Sequence, residues 1–480
     1  MQEFYIYISH WLDPFFLIYF SMINITYTIL LILGSVKIYQ RRRELSIEDF
    51  TYLLRANSLP TIAFLVPAYN EEKNITAVVD NLKNLSYRRK KIIVINDGSL
   101  DLTFQLLKDR YDLVSIPRYY DEVIPTKPVR GIYRSLNHPE IIVIDKENGQ
   151  KYDALNAGLN ACKDSYYVSV DADTFIDDEG FEALIRPILS FPETIATGAG
   201  LRIRNGCILN YNRVDSLKSP VNYISAMQSL EYLRAFLMRQ GWDYMGGNYV
   251  LSGAFSVFRT DAVKWVRGYA PTVADDLEII LRLNRVFMEA QIPYKIKYLP
   301  DPTGWTECPS TLKTLGRQRF LWHRGTMEAA WFNKKLFGNP KFGRYGLFVY
   351  PFLIFGEIFE PIVECMGYIY IALGLFLGAI NAFYLLLLLA TIWGFVFIFT
   401  FCCLIIEELS FRKFPTARSV TLLFLYNLIE NIGYRQLTLI WRIRGFIGFF
   451  KRYKDIKADT TQINKSVEEI LTQKRESRNI

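Results

Sequence analysis

Histidine is nearly absent from this sequence: the three are His10, His138 and His323, and none stands near another. The six cysteines (Cys162, Cys207, Cys308, Cys365, Cys402, Cys403) include no CxxC pair. Neither a zinc site nor a disulfide framework is therefore expected. There is no GxxxxGK[ST] loop and no GxGxxG after a strand, which argues against a P-loop NTPase and a dinucleotide-binding enzyme. Internal repeats and low-complexity segments are lacking too. One further absence is local. From Gly346 to Phe411 there is no Lys or Arg, although the chain carries 56 of them.

What is present is apolar and aromatic. Hydrophobic residues make up 51% and aromatic ones 15%, with 31 Tyr and 34 Phe, which is rich for a soluble enzyme. A bilayer core takes about 20 apolar residues per helix, so 346–411 has room for two transmembrane helices. A third candidate covers about 15–38 and is followed by Arg41, Arg42 and Arg43, which set that end in the cytosol. It lacks the cleavage pattern of a secretory signal and reads as a retained anchor. Lys334, Lys335, Lys341 and Arg344 precede the apolar block, and Arg412, Lys413 and Arg418 follow it, so both flanks face the same side.

The expected organisation follows: an anchor segment 1–57, a cytosolic domain 58–330 and a basic interfacial segment 331–345. Two transmembrane helices within 346–411 come next, then an interfacial or re-entrant helix and a basic cytosolic tail over 412–480. The stretch Thr460–Ile480 reads as a polar helix or a frayed tail. The net charge of +8 sits beside the membrane segments, where anionic membrane lipid accounts for it and no nucleic acid is needed. Glu357, Glu360 and Glu364 share one helix face. They belong in a protein interior, a polar groove or a translocation path, unless that part of the chain lies at the interface.

Between the anchors, strands and helices alternate. "TIAFLVPAYNEEKNI" reads as a strand, a turn at Pro67 to Asn70, and a helix entered through Glu71 and Glu72. "KKIIVINDGSLDLT" repeats the form, with a turn at Asp97-Gly98-Ser99 and a helix capped by Ser99 or Asp101. "EIIVIDKENG", a helix from Asp153 to Ala161, and "YYVSVDAD" continue it. This is the α/β pattern of a mostly parallel sheet with helices on both faces, whose ligands bind beyond the strands' carboxyl ends. Asn70, Asp97, Asp171 and Asp173 all fall at such ends. Asp171 and Asp173 suit either a solvated turn or a divalent-cation site, and the convergence favours the cation. Mg²⁺ or Mn²⁺ bound by one or two carboxylates implies a phosphate partner, and a nucleotide-sugar diphosphate fits.

At this point five motifs match in order: "VPAYNEE", "NDGS", "DAD", "ADDLE" and "QRFLW", with smaller matches in "QSLEYLRAF", "SGAFSVFR" and "GWTECP". The chain resembles the processive, membrane-bound family 2 glycosyltransferases, the group of hyaluronan, cellulose, chitin and poly-N-acetylglucosamine synthases. The resemblance implies a GT-A-like nucleotide-sugar transferase domain with transmembrane and interfacial helices. It implies that Pro67, Ala68, Asn70 and Asp97 line a uridine pocket, and that Lys151, Asp153 and Asp171 contact the donor's diphosphate and sugar. Asp173 would hold the metal and Asp276 would act as general base. Gln318, Arg319 and Trp322 would form the acceptor site and cap the diphosphate. Two motifs depart from the family form: Ala274-Asp275-Asp276 stands for Thr-Glu-Asp, and Gly149-Gln150-Lys151-Tyr152-Asp153 for Gly-Gly-Lys-Ala-Asp.

The chemistry suits these roles, since an inverting transfer needs a carboxylate base and a Lewis acid on the leaving group. Asp275 and Asp276 open a helix, whose dipole is expected to keep the base ionised. Plainer readings stand beside these: Trp322 and His323 as interfacial residues, Asp177 and Asp178 as helix N-terminal acids, and Glu307 as the partner of a nearby cation. The long basic loop Ser115–Pro139 has no assigned role. The expected activity is transfer from a UDP-sugar to a growing polysaccharide at the cytosolic face of the cell membrane, with secretion of the product. The alternative is a non-processive transferase adding one sugar to a lipid or glycan acceptor. An accessory subunit or a homo-oligomer would supply further membrane helices.

Overall fold

The computed structural model describes residues 1–45, 59–117, 122–205, 208–210, 213–216, 222–411 and 417–476. Cys207, Arg412, Lys413 and part of the Ser115–Pro139 loop lie outside the described residues. Helix α1 (Gln2–Leu45) comes first. Strand β1 (Ile62–Ala68), α2 (Ile75–Asn84), β2 (Lys90–Asp97), α3 (Thr103–Arg110), β3 (Leu113–Ser115), β4 (Val129–Ser135) and β5 (Ile141–Lys146) follow. Next are α4 (Lys151–Ala161), β6 (Tyr166–Val170), β7 (Phe175–Ile176), α5 (Asp178–Ser190), β8 (Thr194–Ile203) and a small pair, β9 (Ile208–Asn210) and β10 (Arg213–Ser216). The domain closes with α6 (Tyr223–Tyr244), β11 (Phe255–Arg259), α7 (Thr260–Trp265), α8 (Asp275–Glu289), β12 (Lys295–Thr306) and α9 (Leu312–Phe332).

Ten strands form one sheet in the order β3-β4-β5-β2-β1-β6-β11-β8-β12-β7. Its centre, β5-β2-β1-β6, is parallel, as the strand–helix alternation required. The mostly parallel reading stops there. β11 runs antiparallel to both β6 and β8, and β4 antiparallel to β5 through a short turn, so the sheet is mixed. Side-chain alternation builds a core on each face. Ala63, Leu65, Ile93 and Ile95 pack with Leu155 of α4 and Ile280 of α8. Phe64, Val66, Ile92 and Val94 pack on the other face with Val79 of α2 and Leu184 of α5. Each such fully buried Leu, Ile, Val or Phe side chain contributes about 1.5–3 kcal/mol.

Helix starts differ from those read in the sequence, for a local reason. Glu71 and Glu72 do not open α2. The Glu71 amide donates to Thr103 Oγ1 (2.8 Å) and the Glu72 amide to Asp101 Oδ2 (3.1 Å), so both stay in the turn. Asp101 also accepts from the Thr103 amide at the start of α3 (3.0 Å), whereas Ser99 Oγ accepts from the Asn70 amide (3.0 Å). Asp177 caps α5, accepting from the Gly180 amide (2.6 Å).

After α9 come a basic stretch and a bent pair of helical segments, Tyr345–Ile358 and α10 (Glu360–Phe376), which meet at 42°. Helix α11 (Ala382–Phe411), α12 (Ala417–Ile429), α13 (Tyr434–Lys451) and α14 (Tyr453–Glu476) complete the described chain. Two helices, Gln2–Arg41 of α1 and α11, are long and apolar enough to cross a membrane, and the bent pair makes a third if it counts as one span. Their outer faces expose Ile18, Met22, Ile25, Phe383, Leu386 and Ile398, as lipid contact requires. Of the two readings of the end of the chain, the helix is the one found. Ile456, Ile463, Val467 and Ile470 of α14 are buried at helical spacing, and α14 lies against α8 and α9.

The apolar helices and the α/β domain share one core, in which Leu30 and Ile38 of α1 meet Leu230 and Leu237 of α6, Leu281 of α8 and Phe399 of α11. Where α1 crosses α6, Gly34 and Gly241 remove the side chains between the two backbones. A Cβ on Gly34 would lie 2.8 Å from the Leu237 carbonyl oxygen, and one on Gly241 would strike the Leu30 backbone. Beyond the crossing, Lys37 pairs with buried Asp243 at 2.5 Å.

Candidate functional site

The carboxyl ends of β1, β2 and β6 meet above the sheet, as parallel pairing in register demands. Asn70 sits at φ +57°, a conformation asparagine tolerates, and its Oδ1 accepts from the Leu100 amide at 2.8 Å. Asp97 ends β2 and is 3% exposed. Its oxygens accept from Lys146 Nζ (2.8 Å), the Gly149 amide (3.0 Å) and the Gln150 amide (2.9 Å). Lys146, fully buried, also pairs with Asp153 at 2.5 Å. A single buried ammonium thus joins two carboxylates that the sequence analysis placed in separate donor contacts. The reading of the sequence missed Lys146. Its one signal is a lysine ending an otherwise apolar strand.

A second group lies across the strand ends. Lys151, at the start of α4, pairs with Asp171 at 2.5 Å, approaches Asp275 at 4.0 Å, and donates to the Gly253 carbonyl at 3.2 Å. Burial works against its charge, but Asp171 and Asp275 outweigh burial and hold its pKa above the ordinary lysine range. Asp173 accepts from Thr174 Oγ1 (3.2 Å) and Thr306 Oγ1 (3.3 Å). Among the described residues no cation pairs with it. Burial, with Asp171 beside it, pushes its carboxyl up to about 6, and burial with Asp173 pushes Glu71 up to about 7.

Asp275 and Asp276 open α8, and the Leu277 amide donates to Asp276 Oδ1 at 2.8 Å. Burial raises Asp275 to about 7 against the pull of Lys151, and Asp276 adds to the rise. Asp276 is raised as well, by burial, with Lys151 and Arg239 opposing. Burial thus opposes the helix dipole expected to keep this base ionised, and makes Asp276 a stronger base that holds its proton to higher pH.

On α9, Arg319 pairs with Glu231 of α6 and lies over the Trp322 ring at 4.7 Å. The motif "QSLEYLRAF" contained Glu231, so the sequence held this partner without assigning it. Gln318 Oε1 is buried with no hydrogen-bond partner among the described residues. His323 is 6% exposed, and burial, aided by Arg442, pulls its pKa down to about 3, which keeps the imidazole neutral. Glu307 pairs with Arg204 at 3.0 Å.

One cavity of about 750 Å³ gathers most of these groups. Lys151, Asp171, Asp173, Asp276, Gln318, Arg319 and Trp322 line it, whereas Pro67, Ala68, Asn70, Asp97 and Asp153 are not among its lining residues. The same cavity runs on between the apolar helices, past Asn24 and Tyr27 of α1, Glu357, Glu360 and Glu364, Phe399 of α11, and Arg435 and Arg442 of α13. There Arg435 pairs with Glu364 and Arg442 with Glu360, each at 2.6 Å. The three glutamates therefore face the protein interior.

The family description "Glycosyl transferase family 2" matches residues 63–264, and "Glycosyl transferase family group 2" matches residues 168–407, half the chain. The chain is 28% identical over 329 residues to poly-beta-1,6-N-acetyl-D-glucosamine synthase of Staphylococcus aureus (strain COL), covering 68% of this chain and 66% of that one. It is 28% identical over 270 residues to the synthase of the same name from Staphylococcus epidermidis, covering 56% and 55%. The chain thus spans just under two thirds of the first relative's length. Among solved structures, a mannosyltransferase from Pyrobaculum calidifontis in complex with GDP-Man and Mn²⁺ aligns over 90% of this chain and 99% of its own, at 15% identity and a TM-score of 0.47. With half of its length matched by the family description and a GT-A-like mixed sheet at its centre, the chain belongs to glycosyl transferase family 2.

Proposed function

We propose that this protein is an inverting, processive glycosyltransferase of the cell membrane, with its α/β domain in the cytosol and its apolar helices crossing the bilayer more than once. It takes a sugar from a UDP-sugar and adds it to a polysaccharide whose growing end lies in the cavity beside Trp322. The observation that carries this reading is the cavity itself, in which Asp171, Asp173 and Asp276 share one continuous space with Asn24, Phe399 and Glu364 of the apolar helices. A chain extended at Asp276 has a route into the membrane segment without leaving the protein.

In this reading Asp276 accepts the proton of the acceptor hydroxyl as its oxygen bonds to the anomeric carbon, while the bond from that carbon to the diphosphate breaks and UDP leaves. Pro67, Ala68, Asn70 and Asp97 shape the uridine end. Asp153 acts through Lys146, which it shares with Asp97. Lys151 and Asp171 face the diphosphate and sugar, and Gln318, Arg319 and Trp322 hold the acceptor. Asp173 has no cationic partner of its own among the described residues, and such a carboxylate suits a divalent ion whose other ligands are phosphate oxygens. A bound Mg²⁺ or Mn²⁺ would offset charge on the leaving diphosphate. The relatives' name makes UDP-N-acetylglucosamine the first donor to test.

The test is turnover by purified protein in lipid with Mn²⁺ or Mg²⁺ and a panel of UDP-sugars, following UDP release and sizing the product. Release of UDP with a long polymer from one donor supports the proposal. A product that grows by a single unit, and only on an added lipid or glycan, replaces it with the non-processive reading.

A further inference from the structure

Helix α8 starts without a cap of its own. The residue before it is Ala274, whose side chain offers no acceptor to the amides of the first turn. That turn carries Asp276, and contacts from outside the helix fix it. Thr272 Oγ1 accepts from the Ala274 amide at 3.3 Å and donates to Glu328 Oε2 at 2.9 Å. Glu328 belongs to α9 and is 1% exposed. Its other oxygen pairs with Arg324 of the same helix at 3.2 Å and with Arg452, at the joint of α13 and α14, at 3.3 Å. Nearly one turn earlier on α9, Gly325 lets the same turn come close. A Cβ there would lie 2.8 Å from Ala274 Cβ and 2.8 Å from Val273 Cγ2.

A buried carboxylate is costly even when paired, and an apolar side chain of like volume often serves stability as well or better. The place of Glu328 supplies a reason for its charge. Helix α9 bears Trp322 too, so the helix that offers the acceptor face also grips the start of the helix that bears the base. On its far side Asp276 has little room, since a Cβ on Gly253 would lie 3.0 Å from Asp276 Oδ2. Neither Thr272 nor Glu328 is among the lining residues of the cavity, so neither meets donor or acceptor there. We propose that Glu328 and Thr272 are positioning residues for the transfer: through their hydrogen bond, α9 holds the turn Thr272–Ala274, and with it Asp276, at a fixed separation from Trp322. The inference rests on the proposed role of Asp276 as base. Glu328 itself touches no reacting atom and takes no proton from the acceptor.

The experiment uses the full chain in lipid nanodiscs. It follows UDP release from UDP-N-acetylglucosamine, beside hydrogen–deuterium exchange over 270–280. Thr272→Val keeps the shape and removes the hydroxyl. It should lower kcat about tenfold or more, because a small misplacement of a reacting group is costly, while the donor KM stays within about twofold. Exchange at 274–277 should quicken. Thr272→Ser keeps the hydroxyl and should recover most of the rate. Glu328→Leu should slow transfer to a like extent, and adding Thr272→Val to it should cost little more, since both break one link. In Asp276→Asn protein, Thr272→Val should change the residual rate less than about twofold, as no base is left to place. The proposal is overturned if Thr272→Val keeps the wild-type kcat or leaves exchange at 274–277 unchanged. It is overturned too if Thr272→Ser is as slow as Thr272→Val, or if Thr272→Val slows the Asp276→Asn protein as much as it slows wild type. Should Glu328→Leu fail to fold, the Thr272 variants still decide. Asp276→Asn protein that transfers at the wild-type rate sinks the reading of Asp276 as base, an outcome distinct from a Thr272→Val protein that alone stays fast. If wild-type protein releases no UDP from this donor, the donor reading falls and the exchange result decides the link.

Discussion

Lys146 gives the sharpest test of how the carboxylates Asp97 and Asp153 are held together. The residue is fully buried and pairs with Asp97 at 2.8 Å and Asp153 at 2.5 Å, two carboxylates that are themselves 3% and 6% exposed. Lys146→Met keeps the volume and removes the charge, leaving two carboxylates in the interior. Breaking a buried pair from one side costs about 3–5 kcal/mol. Here the lower end applies, because Asp97 keeps the Gly149 and Gln150 amides and Asp153 keeps the Lys127 amide at 3.1 Å. At roughly 2–4 °C per kcal/mol for a domain of this size, ~3 kcal/mol lowers the apparent Tm by about 6–12 °C, readable by tryptophan fluorescence in detergent. The double variant Lys146→Met/Asp153→Asn removes one of the stranded charges. It should therefore melt above the level that adding the two single losses predicts, with a coupling of at least ~1.5 kcal/mol. Single effects that simply add, to within about 0.5 kcal/mol, would refute a shared ammonium as the link between these acids.

The remaining predictions concern protons, strain and contact. Burial raises Asp173 to about 6, Asp275 to about 7 and Asp276 in the same direction, above the ordinary ~3.9. These groups favour the folded state most below pH ~4 and lose that contribution as pH rises through about 6–7. In the proposed roles Asp173 and Asp276 act ionised, so melting temperature should fall and rate should rise between pH 5 and 8; parallel slopes would count against the assignment. Gln150 precedes Lys151 at φ +75°, ψ 170°, a region kept almost entirely by glycine, so Gln150→Gly should raise the apparent Tm by an amount worth ~1 kcal/mol whereas Gln150→Ala should not. Gly241→Ala should push α1 off α6 and cost about 1–3 kcal/mol, seen as a lower Tm and faster proteolysis of the N-terminal helix. Asp276→Asn should lower transfer by about 10²-fold or more while UDP binding, measured by calorimetry, stays within twofold.

Much of the catalytic half could be read from residue order, because its information is local. The alternation of β1, β2, β5 and β6 with α2 and α4 fixed the parallel centre. Parallel register then carried Asn70, Asp97, Asp171 and Asp173 to the same edge without further assumption. Local pattern ran out where a side chain finds its partner far along the chain. Lys146 looks like the polar end of a strand until Asp97 and Asp153 close on it. Glu231 looks like a helix-surface acid until Arg319, 88 residues later, arrives beside it. The antiparallel insertion of β11 was equally hidden, since a short apolar strand carries no mark of its direction.

The apolar half shows the same limit more strongly. Glu430, Arg435, Arg442 and Arg444 read as interruptions that disqualify Ser419–Phe450 as a plain span, and by composition that is sound. In the fold three of them complete pairs across the helices, Glu430 with Arg234, Arg435 with Glu364 and Arg442 with Glu360. A charge among apolar helices is costliest when it is alone, and a partner offsets part of that cost. Those pairs also discharge most of the cavity wall.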